Sequence, residues 1–188
     1  MATVTPFSLS AESLWAFMPI TVTCVTAMLV MLSIAVKRSH WWNATLTVIG
    51  LNVALMSIAW LFQDHSLRPV TALFMVDGYA YFFMGLILLA TLACVTLAYV
   101  YMETHPGNRE ELYLLLTLSA AGGLMMVCSS HMASLFIGIE ILSVPLYGLV
   151  AYSFQRARSL EAGIKYLVLS ALSSTFLLFG IALVYAQT

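Results

Sequence analysis

Glu140 lies in an apolar run, Phe136-Ile137-Gly138-Ile139-Glu140-Ile141-Leu142-Ser143-Val144-Pro145. In a helix from about Ser130 to about Phe154 it would stand roughly 15 Å from one end and roughly 21 Å from the other. That is near the middle of a bilayer, where a carboxylate costs at least about 2.5 to 3.5 kcal/mol and must be neutral, paired or turned toward water. Two kinds of work suit such a group: exchange of a proton along an ion path, or a protonated carboxyl held by a hydroxyl as a tie between helices. Pro145 offers no N–H to the carbonyl of Ile141, so a kink is expected beside the glutamate. Gly138 and Ser143 permit close helix approach, and the Ser143 hydroxyl is placed to take up the freed backbone.

Lys165 is the second candidate, about five residues, or roughly 7 to 8 Å, inside the next apolar run. Its position fits a proton path equally with a lysine that snorkels to the interface and pairs with Glu161 one turn earlier. His40, His65, His105 and His131 all fall at or between helix ends. Axial haem ligands would have to face one another inside the bundle, so a haem protein is not indicated. His131 opens the Glu140 run and is kept as a candidate point of ion access. Asp77 precedes Gly78 and suits a helix N-cap, with a part in ion access as the alternative. Cys24, Cys94 and Cys128 stand singly in apolar runs and read as packing residues. Neither a nucleophile triad, a phosphate loop nor metal-ligand spacing occurs, so hydrolase, nucleotide-binding and metal chemistry have no support.

The elements that must hold these residues follow from composition. Hydrophobic residues make up 62% of the 188 and charged residues 8%, with a mean hydropathy of +0.99, which places most of the chain in lipid. Apolar runs at 14–36, 42–62, 78–101, 112–128, 133–154 and 160–186 predict an all-α bundle of six transmembrane helices in a single domain, joined by short polar breaks. Pro19 marks the start of the first helix, and no internal repeat is visible. The N-terminal residues lack the basic stretch of a signal peptide, so the first run is expected to remain as an uncleaved helix. A net charge of −1 gives no support to nucleic acid binding. Placing Lys37, Arg38, Arg109, Arg156 and Arg158 on the cytoplasmic side leaves only Arg68 outside, which predicts both termini on the outer face. Trp41 and Trp42 fit an aromatic belt.

Within this frame, His131-Met132-Ala133-Ser134-Leu135-Phe136, Gly138-Ile139-Glu140 and Ser143-Val144-Pro145-Leu146-Tyr147-Gly148-Leu149-Val150-Ala151-Tyr152 resemble the fifth helix of the antiporter-like subunits of respiratory complex I. Ser159-Leu160-Glu161-Ala162-Gly163-Ile164-Lys165-Tyr166, followed by Ser170, is similar to the sixth helix of subunit N in particular. Asn43-Ala44-Thr45-Leu46 and Ile49-Gly50-Leu51-Asn52 extend the likeness to the second helix.

The resemblance implies a membrane-arm subunit of the proton-pumping NADH:quinone oxidoreductase of a bacterial inner membrane, with both termini of this segment periplasmic. It implies other membrane-arm subunits and the lipid bilayer as partners. Cofactors are expected to be none in this chain, since NADH, FMN, iron–sulfur clusters and quinone belong to other subunits of the resembled complex. This subunit would then take part in the enzyme without redox residues of its own. Matching motif positions assigns Glu140 as the fifth-helix glutamate of the proton channel and Lys165 as the neighbouring sixth-helix lysine. The family fold has about fourteen helices, in two inverted five-helix repeats after an initial three, and its site lies between halves. This chain is therefore expected to need a C-terminal remainder of the same subunit before it can move protons. The alternatives are a subunit of a multisubunit cation/proton antiporter and a non-transporting structural membrane fragment.

Overall fold

The computed structural model describes residues 15–61, 68–69, 71, 73–104, 110–153 and 156–187. Among these are six helices: α1 (Met18–Val36), α2 (His40–Leu61), α3 (Gly78–Glu103), α4 (Glu111–Val127), α5 (Met132–Val150) and α6 (Ala157–Gln187). A two-stranded antiparallel ribbon, β1 (Arg68–Pro69) and β2 (Met75–Val76), lies between α2 and α3. The sequence marks that whole stretch only as a polar break, with no sign of the ribbon. The chain is an all-α, multi-pass membrane protein. Five of the helices are long and apolar enough to cross a membrane. Helix α4, of 17 residues, is shorter at about 25 Å.

Helices are the form a chain this apolar must take, because lipid offers no partner to backbone N–H and C=O groups. The buried threonines inside the bundle meet the same demand. Thr23, Thr26, Thr47 and Thr117 are buried, and each hydroxyl donates to a carbonyl four residues earlier at 2.7 to 2.8 Å. Helix α4 is the middle of the bundle, packed by α1, α3 and α5, while α2 lies against α1 and α3, and α6 rests on α5. Its buried run Ala120, Ala121, Gly122 and Gly123 presents small residues, which let neighbouring helices come close.

Two clamps set the height of α5. On one side of the bundle, the Met75 N–H donates to the Cys128 carbonyl at 2.9 Å, and the Ser130 N–H to the Leu73 carbonyl at 3.0 Å. The Ser134 hydroxyl adds a 2.8 Å bond to the same Leu73 carbonyl, tying the first turn of α5 to the ribbon. On the other side, Arg38 pairs with Glu111 at 3.3 Å, and the Tyr152 hydroxyl accepts the Leu112 N–H at 3.1 Å. Burial, with the carboxylates of Glu110 and Glu111 nearby, pushes the Tyr152 hydroxyl up to about 12.

Several boundaries move from their expected places. Helix α5 ends at Val150 rather than near residue 154: the Ala151 N–H makes the last four-back bond, to Tyr147, and the Tyr152 N–H reaches only three back, to Leu149, both at 3.2 Å, which tightens the last turn. Cys24 and Cys128 pack inside, but Cys94 is exposed on the outside of α3, so it is no packing residue within this chain. Asp77 caps α3, its carboxylate accepting the Ala80 N–H at 2.7 Å. Leu14, His65, His105, Arg109, Phe154 and Gln155 lie outside the described residues.

Candidate functional site

Glu140 stands eight residues from the start of α5 and ten from its end. Its side chain is half-buried, and its Oε1 is buried with no hydrogen-bond partner among the described residues. Helix α5 is held to α4 on both sides of this glutamate by glycines. A Cβ on Gly138 would lie 2.9 Å from the backbone nitrogen and Cα of Met126, and a Cβ on Gly122 would lie 2.3 Å from the Leu142 nitrogen. Both contacts are with backbone, so the helices touch main chain to main chain at the level of Glu140. Gly122 also faces the carbonyl carbon of Ile141, the residue whose carbonyl Pro145 leaves without an N–H. Pro145 is buried inside an unbroken helix. The Ser143 hydroxyl donates to the Ile139 carbonyl at 2.7 Å, not to Ile141 as the sequence led us to expect, because an α-helical serine most readily reaches four residues back.

The face of α5 that carries Glu140 is the one that meets α6. Tyr147 lies seven residues on, two turns along the same side, and its hydroxyl donates to Ser170 of α6 at 2.9 Å. Its ring packs edge-on against Tyr166 with centroids 5.5 Å apart. Closer to the helix ends, a Cβ on Gly163 would lie 2.6 Å from the Ala151 Cβ. At the opposite end of the seam, the Tyr185 hydroxyl lies 2.6 Å from Nε2 of His131. His131 also caps α5, its Nδ1 accepting the Ala133 N–H at 3.3 Å. From residue 160 to residue 187, only Gly163, Ser170, Ser174 and Ile181 are covered. Their spacings of seven, four and seven form one stripe of a helix, and that stripe is what α6 lays on α5.

Lys165 falls outside the stripe, on the far side of α6. Its ammonium bonds to Glu161 at 2.5 Å, and the two side chains are 69% and 62% exposed. This chain therefore does not bring Glu140 and Lys165 together, whereas it does bring Glu140, Tyr147, Ser170 and Ser174 onto one seam. Tyr147, Ser174 and Tyr185 are not among the candidates the sequence singles out, and Ser170 stands there only within the family likeness. The available signal was hydroxyl residues at helical spacing from Glu140, which hydropathy does not weigh. Among the described residues, no group of His, Cys, Asp and Glu could hold a metal ion.

Residues 129–188 match the family described as NADH:quinone oxidoreductase/Mrp antiporter, TM. The chain is 53% identical over 185 residues to NADH-quinone oxidoreductase subunit N of Ectopseudomonas mendocina (strain ymp), an alignment covering 95% of this chain and 37% of that protein. Its fold is similar to a chain of respiratory complex I from Thermus thermophilus with bound aureothin, with a TM-score of 0.77 and 30% identity over 91% of this chain and 37% of that one. A chain of the membrane-bound sulfane sulfur reductase, an archaeal respiratory membrane complex, shares the fold at a TM-score of 0.75 and 21% identity, over 94% of this chain and 38% of its own. The chain thus spans about 37% of the length of the curated relative it matches. The likeness read from the residues around Glu140 and Lys165 extends over nearly the whole chain, and it falls on the amino-terminal part of subunit N.

Proposed function

Taking the chain as a relative of the amino-terminal part of NADH-quinone oxidoreductase subunit N, we propose that it forms part of a proton-translocating membrane module driven by electron transfer in other subunits. The observation that carries this reading is a carboxyl oxygen of Glu140, midway along α5, that is buried with no hydrogen-bond partner among the described residues. A carboxyl group removed from water favours its neutral form, and an approaching cation favours the charged one. A residue so placed takes up and releases a proton as a cation withdraws and returns. In this reading Glu140 is the proton-exchanging group and Gly122, Gly138 and Pro145 fix the helix that bears it. His131 stands at the outer end of the seam as a point of access.

Lys165, on the far side of α6, is assigned to the face that other parts of the assembly would cover, and does not act on Glu140 within this segment. NADH, FMN, iron–sulfur clusters and quinone are assigned to other subunits, and this chain supplies no redox group. The proposed setting is a bacterial inner membrane with both ends of the segment periplasmic, among other membrane-arm subunits. Single cysteines at Lys37 or Arg156, in a background lacking the native three, should react with an impermeant reagent only from the cytoplasmic side.

The test of the function is proton uptake into vesicles together with NADH oxidation, normalised to assembled complex. Glu140→Gln should lower protons taken up or coupled turnover while leaving the complex assembled. Full pumping by that variant would reduce Glu140 to a tie between helices. The family description also names Mrp antiporters, which supports a second reading as part of a cation/proton antiporter. Copurification with NADH-oxidising activity separates the two.

A further inference from the structure

The polar seam between α5 and α6 reaches from the Ala151 end of α5 to the level of Glu140, and its residues have hydroxyls that can pass protons. Tyr147 lies three residues from the end of α5, about one turn from the helix terminus. Its hydroxyl donates to Ser170, which leaves the Ser170 proton free to turn elsewhere. Helices α5 and α6 run antiparallel here, since Ala151 meets Gly163 while Tyr147 meets Ser170. Moving from Tyr147 toward Glu140 on α5 therefore means moving from Ser170 toward Ser174 on α6. Ser174 lies one turn beyond Ser170 on the covered stripe, and Glu140 lies two turns beyond Tyr147. The Tyr147 phenol leans toward the start of its helix, as helical side chains do, and so toward Glu140. Along the helix axis each remaining step is about one turn, roughly 5.4 Å, and water between the helices is needed to complete it.

We infer that Tyr147 and Ser170, extended by Ser174, form a hydroxyl relay that carries protons between the Ala151 end of α5 and Glu140. This rests on the reading of Glu140 as a proton-exchanging group. In one passage, water at the Ala151 end gives a proton to the Tyr147 oxygen as the Tyr147 proton moves to the Ser170 oxygen. The proton of Ser170 then moves by way of Ser174 and intervening water to the Glu140 carboxylate. Each hydroxyl finishes with one proton, and the net change is one proton taken from water and one placed on the carboxylate. The Tyr147–Ser170 bond as simple interhelical glue would account for the same distance, and the two roles differ in what replaces the hydroxyl and in how pH acts.

The experiment uses the assembled complex carrying the full subunit, with Tyr147→Phe, Ser170→Ala, Ser170→Thr and Glu140→Gln compared for proton uptake, coupled NADH oxidation and thermal stability across pH. Loss of a positioned proton donor should slow coupled turnover by about a hundredfold, the low side for such groups. Tyr147→Phe and Ser170→Ala should show this loss, deepening as pH rises, with partial recovery on adding a small membrane-permeant weak acid. Ser170→Thr keeps the hydroxyl and should keep turnover, and the Tyr147→Phe, Ser170→Ala double variant should be no worse than either single one. Should Tyr147→Phe fail to assemble, the contrast between Ser170→Ala and Ser170→Thr decides alone. Normal turnover and pH profile in Ser170→Ala beside a defective Glu140→Gln would overturn the relay and leave the function standing. A loss that is independent of pH, not relieved by weak acid and matched by lower thermal stability would also overturn it, in favour of glue. Full pumping by Glu140→Gln would remove the function and the relay together.

Discussion

Two adjacent glycines in α4 offer a controlled way to ask whether the α4–α5 contact holds Glu140 in place. At Gly122 a methyl group would lie 2.3 Å from the Leu142 nitrogen and 2.7 Å from the Ile141 carbonyl carbon. Both are backbone atoms, so no rotamer change relieves the clash. Reaching 3.4 Å, where ordinary contact begins, needs about 1.1 Å of separation between the helices. At Gly123 the nearest atoms would be the side-chain methyls Ile87 Cδ1 and Leu142 Cδ1, both at 3.5 Å, and the added methyl fits. Replacing glycine by alanine inside a helix contributes up to about 1 kcal/mol at either position. That gain cancels in the comparison, leaving the overpacking cost of about 1–3 kcal/mol on Gly122→Ala alone. A displacement of about 1 Å at a reacting group can cost on the order of a hundredfold in rate. Gly122→Ala should therefore melt below Gly123→Ala and pump fewer protons per assembled complex, as read by thermal denaturation and vesicle proton uptake. Equal melting and equal pumping in the two variants would refute the claim that main-chain contact at Gly122 sets the position of Glu140.

Substitutions at three further residues probe the polar groups outside the seam. Asp77→Ala removes the cap on α3 and should cost about 1 kcal/mol of stability, while Asp77→Asn, which can still accept the Ala80 N–H, should cost little; equal melting of the two would deny the cap any weight. Asn43 is fully buried with neither amide atom hydrogen-bonded among the described residues, a cost of about 1–3 kcal/mol. Asn43→Leu should leave the melting temperature unchanged or raise it, and a clear fall would mean that the amide has a partner in the assembled protein. Glu161→Gln breaks an exposed pair within one helix that contributes only about 0.3 to 0.5 kcal/mol, so stability and proton uptake should stay near wild type; a defect equal to that of Glu140→Gln would contradict the assignment.

The six helices and their order were legible because each is marked by an apolar run, and lipid leaves the backbone no alternative to a helix. Asp77 and Pro19 were legible as start signals, since capping and the tolerance of proline in the first turn depend on local chemistry. The Glu161–Lys165 pair was legible from its spacing of four. The ribbon at residues 68–76 was not, because its two-residue strands carry no alternation and exist through bonds to Cys128 and Ser130, which are distant in sequence. The early end of α5 was hidden for a related reason. Ala151, Tyr152 and Ser153 are unremarkable in hydropathy, and just past the helix end the Tyr152 hydroxyl accepts the Leu112 N–H from another helix, a contact no local pattern announces.

Depth along a helix can be counted from a sequence, whereas direction around it needs to be known relative to neighbours. Counting residues put Glu140 near the middle of its helix, where it lies, and Lys165 about five residues inside the next, whereas α6 starts earlier and places it eight residues in. Counting could not tell that they point to opposite sides, because that depends on which stripe of α6 lies on α5, and the all-round apolar character of these helices conceals the stripe. Gly163, Ser170, Ser174 and Ile181 are what reveal it, and three of the four are small. Small residues let backbones approach in a membrane where hydrophobicity supplies no preference between faces. Ser170 and Ser174 also carry hydroxyls, so the stripe that lies on α5 also sets which polar groups of α6 enter the seam. On that ground a search of such a helix for small and hydroxyl residues at spacings of four and seven locates its partner-facing side better than its hydropathy does. For this chain, that search turns attention from the charged Lys165 to the neutral Tyr147, Ser170 and Ser174.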